Sequence, residues 1–227
     1  MSIFGSDSNN GRKRREEDWA AARARMVEQQ LKKRGIRDQR VLEAMARIPR
    51  EEFVPERERA SACSDEPLAI GCGQTISQPY MTALMVECLQ LEGRERVLEV
   101  GAGSGYHAAV LGALAAEVIT LEILPELAEL ARANLERTGL GGNVTVICGD
   151  GSRGFPPRAP YHGISVAAAA TEVPQALVDQ LADPGILVIP LGSHWDQELR
   201  VFNKSGGRFD SRIATFCRFV PLRAGKD

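Results

Sequence analysis

The chain has 227 residues, a formal net charge of −2, 44% hydrophobic and 26% charged residues. That suffices for one good core, most simply one domain with an N-terminal extension. It gives no electrostatic case for nucleic acid or an anionic membrane, no apolar run is long enough to span a bilayer, and the five scattered cysteines form no C-x-x-C pair.

The N-terminus is polar and basic, with no apolar h-region, so it does not read as a secretory signal. Free thiols and a reducing compartment, the cytoplasm, are the expectation. The three histidines, His107, His162 and His194, are far apart and show no metal-ligand spacing, so no metal is expected.

Residues 1–15 read as a disordered tail, Ser/Asn/Gly-rich and then basic at Arg12–Arg15. A helix is predicted from about Glu16, with Trp19, Ala22, Met26, Val27 and Leu31 on one face and Gly35 ending it. Asp38 is a plausible N-cap for a second helix carrying Val41, Leu42 and Met45, which Pro49 stops. Phe53 and Val54 are apolar plugs in the bounded turn I-P-R-E-E-F-V-P. Ser61 to Gly73 lacks period and reads as loop. Ser77 can cap a helix whose first turn holds Pro79. The polar cluster Gln74, Thr75, Ser77 and Gln78 offers hydroxyls and amides but no strong base. Residues 16–92 are thus expected to be a helical region with a polar loop, packed on a core spanning 93–227.

That core is arranged around R-V-L-E-V-G-A-G-S-G-Y, Arg96 to Tyr106. Val97, Leu98 and Val100 make a buried strand with the acidic Glu99 near its end. Gly101, Gly103 and Gly105 follow, and then an amphipathic pattern with Ala108, Leu111, Leu114 and Ala115. This is strand, tight turn, helix. Further strands are predicted at Val118–Glu122, Asn143–Cys148, Ile164–Ala167 and Ile186–Ile189. Helices start at Pro125 and Pro174. A final hairpin joins Glu198–Asn203 to Arg212–Val220 through Gly206 and Gly207. The alternation implies an α/β fold, a mostly parallel Rossmann-like sheet with helices on both faces and a C-terminal antiparallel hairpin.

The glycine spacing differs from the dinucleotide fingerprint, whose third glycine comes three positions after the second. Here it comes two after, which argues against a nicotinamide site. G-x-G-x-G after an acidic strand is similar to the first motif of S-adenosylmethionine-dependent methyltransferases. In open α/β sheets ligands sit beyond the carboxyl ends of the strands, at the point where strand order reverses. Glu122 ends the second strand near the offset at which an acid meets ribose hydroxyls, and Asp150 ends the third, where a carboxylate can accept from an adenine amino group. No basic phosphate clamp accompanies them.

Beyond that motif the chain resembles the protein-L-isoaspartate O-methyltransferase family. The matching segments are M-V-E-Q-Q-L-K-K-R-G-I, V-L-E-A-M-A-R-I-P-R-E-E-F-V-P, G-Q-T-I-S-Q-P-Y-M, the glycine motif, G-D-G and R-F-V-P-L, from about Met26 to Leu222. The resemblance implies methyl transfer from S-adenosylmethionine to the free carboxylate of isoaspartyl residues in damaged proteins and peptides, with S-adenosylhomocysteine as product. It implies Ser77 at the active site. Thr75, Ile76, Ser77, Thr82, Gly101, Gly103, Gly105, Glu122, Ile123, Asp150 and Gly151 would meet the cofactor, and Arg218 to Pro221 would border the substrate peptide. A monomer is expected.

Cys72, His162 and Ala167 depart from the usual pattern, which bears on substrate fit or rate more than on the cofactor. A carboxylate acceptor needs no general base, and the sequence displays no evident His–acid pair. Two alternatives remain open at this level: a methyltransferase with another acceptor, and a module that holds the cofactor without turnover.

Overall fold

The computed structural model describes residues 6–193 and 196–225, with side chains from residue 16 onward. A continuous helical run opens the chain: α1 (Ser6–Met26), a wide turn at Val27–Leu31 and a tight one at Lys32–Arg34. It stops at Gly35 in the left-handed region, as expected. Of the tail expected to be disordered, Met1–Gly5 lie outside the described residues. From Ser6 the backbone is already helical, well before Glu16, in a stretch where Arg, Glu and Ala, all strong helix formers, come to dominate.

Next comes α2 (Gln39–Arg47), capped by Asp38, whose carboxylate accepts from the Arg40 N–H at 2.9 Å. Asp38→Ala is expected to lower stability by about 1 kcal/mol, a drop of about 2–4 °C in a thermal melt. An unchanged midpoint would discount the cap.

The stretch read as loop carries a short strand, β1 (Leu68–Gly71), which pairs antiparallel with β2 (Gln74–Ile76) in the polar segment that follows. Four residues, L-A-I-G, were too few to show a period. After them, α3 (Pro79–Cys88) places Pro79 in its first turn, but the N-cap is Gln78 and not Ser77. Proline takes the first helical position, where its missing N–H is no loss, and this leaves Ser77 outside the helix with its hydroxyl uncommitted.

The main sheet is built from β3 (Arg96–Val100), β4 (Glu117–Glu122), β5 (Val144–Cys148), β6 (Tyr161–Val166), β7 (Leu181–Gly192), β8 (Gln197–Ser205) and β9 (Arg208–Cys217). Its order is β5-β4-β3-β6-β7-β8-β9; the first five strands are parallel and the last two antiparallel. Connecting helices are α4 (Tyr106–Gly112), α5 (Pro125–Thr138) and α6 (Gln175–Asp179). The fold is the expected Rossmann-like α/β class. Its two faces are covered unequally. Residues from α1 to α5 share one apolar cluster with Val97 and Val118, while the opposite face, with Leu98, Val100 and Ile164, packs on the short α6 and nearby loops. Met26, Met45 and Phe53 lie in the same cluster as β3 and α4, so the N-terminal helices complete that core.

β9 ends at Cys217, three residues short of the expected strand. The chain then doubles back along Ala169, whose N–H donates to the Val220 carbonyl at 2.8 Å and whose carbonyl accepts from the Leu222 N–H at 2.7 Å.

Candidate active site

Strand order reverses between β3 and β6, and their carboxyl ends open on a cleft. β3 runs out at Val100, and Gly101 turns the chain with a φ of +96°, a conformation that side chains rarely adopt. The Gly101 and Ala102 N–H groups donate back to the Leu121 carbonyl at 2.8 and 3.1 Å, pinning the loop to β4. The last motif glycine acts differently. Gly105 lies outside the cleft lining, and a Cβ there would come within 3.2 Å of the Ala131 carbonyl oxygen, so it lets α4 close on α5.

Glu122 sits at the end of β4, 6% exposed. Its Oε2 accepts from the Gly103 N–H at 2.9 Å and its Oε1 from the Leu124 N–H at 3.1 Å. The carboxylate is therefore fixed on the lining with lone pairs to spare, the arrangement that suits a pair of hydroxyls.

Of the eleven residues expected at the cofactor, the structure brings Thr75, Ile76, Ser77, Thr82, Gly101, Gly103, Glu122, Ile123 and Gly151 onto this one cleft. Gly105 and Asp150 are not on its wall. The Asp150 Oδ1 accepts from the Ser152 N–H and hydroxyl at 2.9 and 2.7 Å, and its Oδ2 from the Gly225 N–H at 2.8 Å. Partial burial alone would raise its pKa, but these hydrogen bonds and Arg153 outweigh that and hold it below the ordinary value. Val220 and Pro221 of the expected substrate border reach the cleft, and Leu222 and Arg223 extend it.

Beneath the cleft lies a polar layer that sequence reading missed. Along β3 the odd positions face α4, so Glu99 points into the core rather than toward a ligand. Register places Thr120 on one side of it and Ser165 on the other. All three are fully buried. The Thr120 hydroxyl donates to Glu99 Oε2, and His107 of α4 comes within 3.8 Å of Glu99 Oε1 through its Nδ1. A His–acid pair is thus present after all. Burial pushes the Glu99 carboxyl up to about 8, against the pull of Thr120, and drives His107 down to about 4. Burial thus favours a protonated Glu99 and a weakly basic His107, which argues against a base dyad. Among the described residues Glu99 Oε1, His107 Nε2, Ser165 Oγ and Ser104 Oγ have no hydrogen-bond partner. A charge-bearing residue inside V-L-E-V, on the same face as Val97, was the available signal.

The three departures fall in different places. Ala167 lines the cleft opposite Gly101. Cys72 is exposed in the β1–β2 turn. His162 lies at the opposite, amino end of β6, where its Nδ1 accepts from the Arg96 N–H at 3.2 Å. Among the described residues no cluster of His, Cys, Asp or Glu could hold a metal, and no helix is long and apolar enough to cross a membrane.

The family model described as protein-L-isoaspartate(D-aspartate) O-methyltransferase matches residues 21–227. A protein-L-isoaspartate O-methyltransferase of Koribacter versatilis is 54% identical over 204 residues, covering 90% of this chain and 91% of that protein. One of Hyperthermus butylicus is 50% identical over 220 residues, covering 92% and 91%. Among solved structures, one named protein-L-isoaspartate O-methyltransferase aligns with a TM-score of 0.80 at 32% identity, covering 90% of this chain and 66% of that longer one. A Plasmodium falciparum structure described under the same name, in complex with S-adenosyl-L-homocysteine, aligns with a TM-score of 0.75 at 29% identity, covering 88% and 98%. With the glycine turn, the fixed Glu122 and the Q-T-I-S-Q-P loop around one cleft, these matches establish that the chain belongs to the protein-L-isoaspartate(D-aspartate) O-methyltransferase family.

Proposed function

We infer that this protein transfers the methyl group of S-adenosylmethionine to the free carboxylate of L-isoaspartyl residues in damaged proteins and peptides, the first step of their repair. The observation that carries the reading is the meeting of the Gly101–Gly103 turn and Glu122 with the Ser77 loop at one cleft. The cofactor fits what is there: a close backbone turn and a fixed carboxylate for ribose hydroxyls, on a cleft lined by both polar and apolar groups. Gly101, Gly103, Glu122, Ile123 and Gly151 would hold its nucleoside and methionine parts, with Thr75, Ile76 and Thr82 closing the near side. When bound, its sulfonium supplies an electrophilic methyl group. Asp150 would reach the adenine edge only from behind Gly151, and its second oxygen is engaged by Gly225.

The acceptor carboxylate, whose ordinary pKa is about 4, is already ionised at neutral pH. The chain's task is therefore to aim that oxygen and to exclude water, not to remove a proton. The Ser77 hydroxyl, free of partners among the described residues and on the cleft lining, would donate a hydrogen bond to the acceptor. Among the described residues no base hydrogen-bonds to it, which supports an aiming role over that of a covalent nucleophile. Val220 and Pro221 would flank the substrate backbone. A monomer in the cytoplasm is part of the same proposal.

The test is incubation with methyl-labelled S-adenosylmethionine and an isoaspartyl peptide beside its aspartyl twin. Base-labile label on the isoaspartyl peptide alone is expected. Cofactor binding without transfer would refute the acceptor assignment. Ser77→Ala is expected to lower turnover about 10–30-fold, the equivalent of one lost hydrogen bond to a charged group, with cofactor affinity nearly intact. Equal turnover would remove Ser77 from the reaction.

A further inference from the structure

Arg50 heads the fully buried side chains by volume, and no carboxylate pairs with it among the described residues. Burial lowers its pKa, with Tyr106 and Cys63 acting the other way. The charge is met by dipoles, a ring and, beyond ion-pair distance, the Asp65 carboxylate. Its Nε donates to the Ala62 carbonyl at 2.8 Å and its Nη2 to the Ser77 carbonyl at 2.7 Å. The guanidinium carbon lies 4.8 Å from the centre of the Tyr106 ring. Its Nη1 is buried without a hydrogen-bond partner among the described residues.

These contacts join three separate stretches of chain: the loop at Ala62, the Ser77 loop, and the residue that opens α4 after the glycine turn. Ser77 and Tyr106 both line the cleft. A peptide whose carbonyl is held has little freedom left, and this fixes the backbone from which the Ser77 side chain projects.

We propose that Arg50 is a positioning residue for methyl transfer: its guanidinium locks the Ser77 loop against Tyr106 and thereby sets the direction of the Ser77 hydroxyl. This rests on the methyl-transfer reading above. The planar fork is what the task requires, because two carbonyls are met at once while the guanidinium sits over an aromatic ring. A lysine ammonium, a point charge on a flexible stem, can satisfy one carbonyl but not hold both in register. Among the described residues Arg50 makes no hydrogen bond to Glu122 or to the Gly101–Gly103 turn, so its mutation should fall harder on acceptor alignment than on cofactor binding.

The experiment compares wild type, Arg50→Lys, Ser77→Ala and the double variant in the isoaspartyl peptide assay, with S-adenosylhomocysteine titrated calorimetrically. Arg50→Lys is expected to lower kcat about 10-fold or more, with peptide KM and product affinity within about threefold. In the Ser77→Ala background the same change is expected to cause less than about a twofold further loss, because its effect passes through that hydroxyl. A loss of product affinity matching the loss of kcat, or full additivity with Ser77→Ala, would overturn the proposal.

A second readout needs no variant. In the wild-type protein bound to S-adenosylhomocysteine, the Arg50 Nε–H resonance should exchange slowly with solvent and its Nη groups should be resolved. Fast exchange and averaged signals would overturn the lock. A wild type that binds the product but methylates no isoaspartyl peptide would overturn the functional reading instead, and would leave the resonance test of the lock intact.

Discussion

Glu122→Ala is expected to weaken binding of S-adenosylhomocysteine about 100-fold. Hydrogen bonds to a charged acceptor are worth about 1.5–3 kcal/mol each, and the two hydroxyls of a ribose together lose about 3 kcal/mol when the carboxylate goes. The magnitude depends on preorganisation. Both oxygens of Glu122 are already held by backbone N–H groups of Gly103 and Leu124, so little freedom is lost when a ligand arrives. The same two bonds give the side chain a structural duty. Removing it leaves two donors short of their partner, and a stability loss of about 1–3 kcal/mol should accompany the change. Affinity must therefore be read on protein shown to be folded, by calorimetric titration well below its melting midpoint. Glu122→Gln, which keeps one acceptor oxygen, should lose about 10-fold. A folded Glu122→Ala protein with wild-type affinity would take the carboxylate out of the nucleoside site.

Glu99→Gln is expected to be more stable than wild type at alkaline pH, and by a large margin. In the folded protein the Glu99 carboxyl titrates at about 8. In an unfolded chain it titrates at about 4.3. Between those values the folded state keeps a proton that the unfolded state has released. Stability must then fall as pH rises through the window, with the full loss present above about pH 8. The integrated effect is on the order of 4–5 kcal/mol. Glutamine copies the shape of the neutral acid and does not titrate. The two proteins should therefore be close in stability near pH 5 and diverge steadily toward pH 9 in urea denaturation. A gap independent of pH would mean that Glu99 does not carry a proton in the folded state. His107 works on the acid side. Its folded value of about 4, against about 6.5 when exposed, withdraws stability as pH falls through that range. It is common to both proteins and cancels from their difference.

The framework was legible because periodicity and punctuation agreed along most of the chain. Asp38 capped and Gly35 ended helices where their chemistry said they would, and Pro125 opened one. The glycine turn and Glu122 were legible for a related reason: strand ends are local features, and the rule that ligands gather beyond them needs only strand order. What failed was whatever depended on the third dimension. Leu68–Gly71 is too short to show a period, and it becomes a strand only by pairing with Gln74–Ile76. Ser77 looked like a cap until Pro79 fixed the start of the helix one residue later. Glu99 looked like a residue at a strand's end, but alternation turned it under α4, toward His107. Arg50 gave no signal, since its partners are the carbonyls of Ala62 and Ser77, and a carbonyl is the same in every residue type.

The return of Val220–Arg223 along Ala169 has a consequence for the order in which the enzyme becomes competent on the ribosome. The glycine turn is synthesised more than a hundred residues before this wall of the cleft. β6, the neighbour of β3 on the side where the cleft opens, also arrives after β4 and β5. A nascent chain thus exposes half a cofactor cradle while the other half is still untranslated. Chains are made at about 5–20 residues per second, so the half-built site persists for several seconds on each ribosome. The cleft closes only when residue 223 has cleared the exit tunnel, which makes its competence a late property of translation.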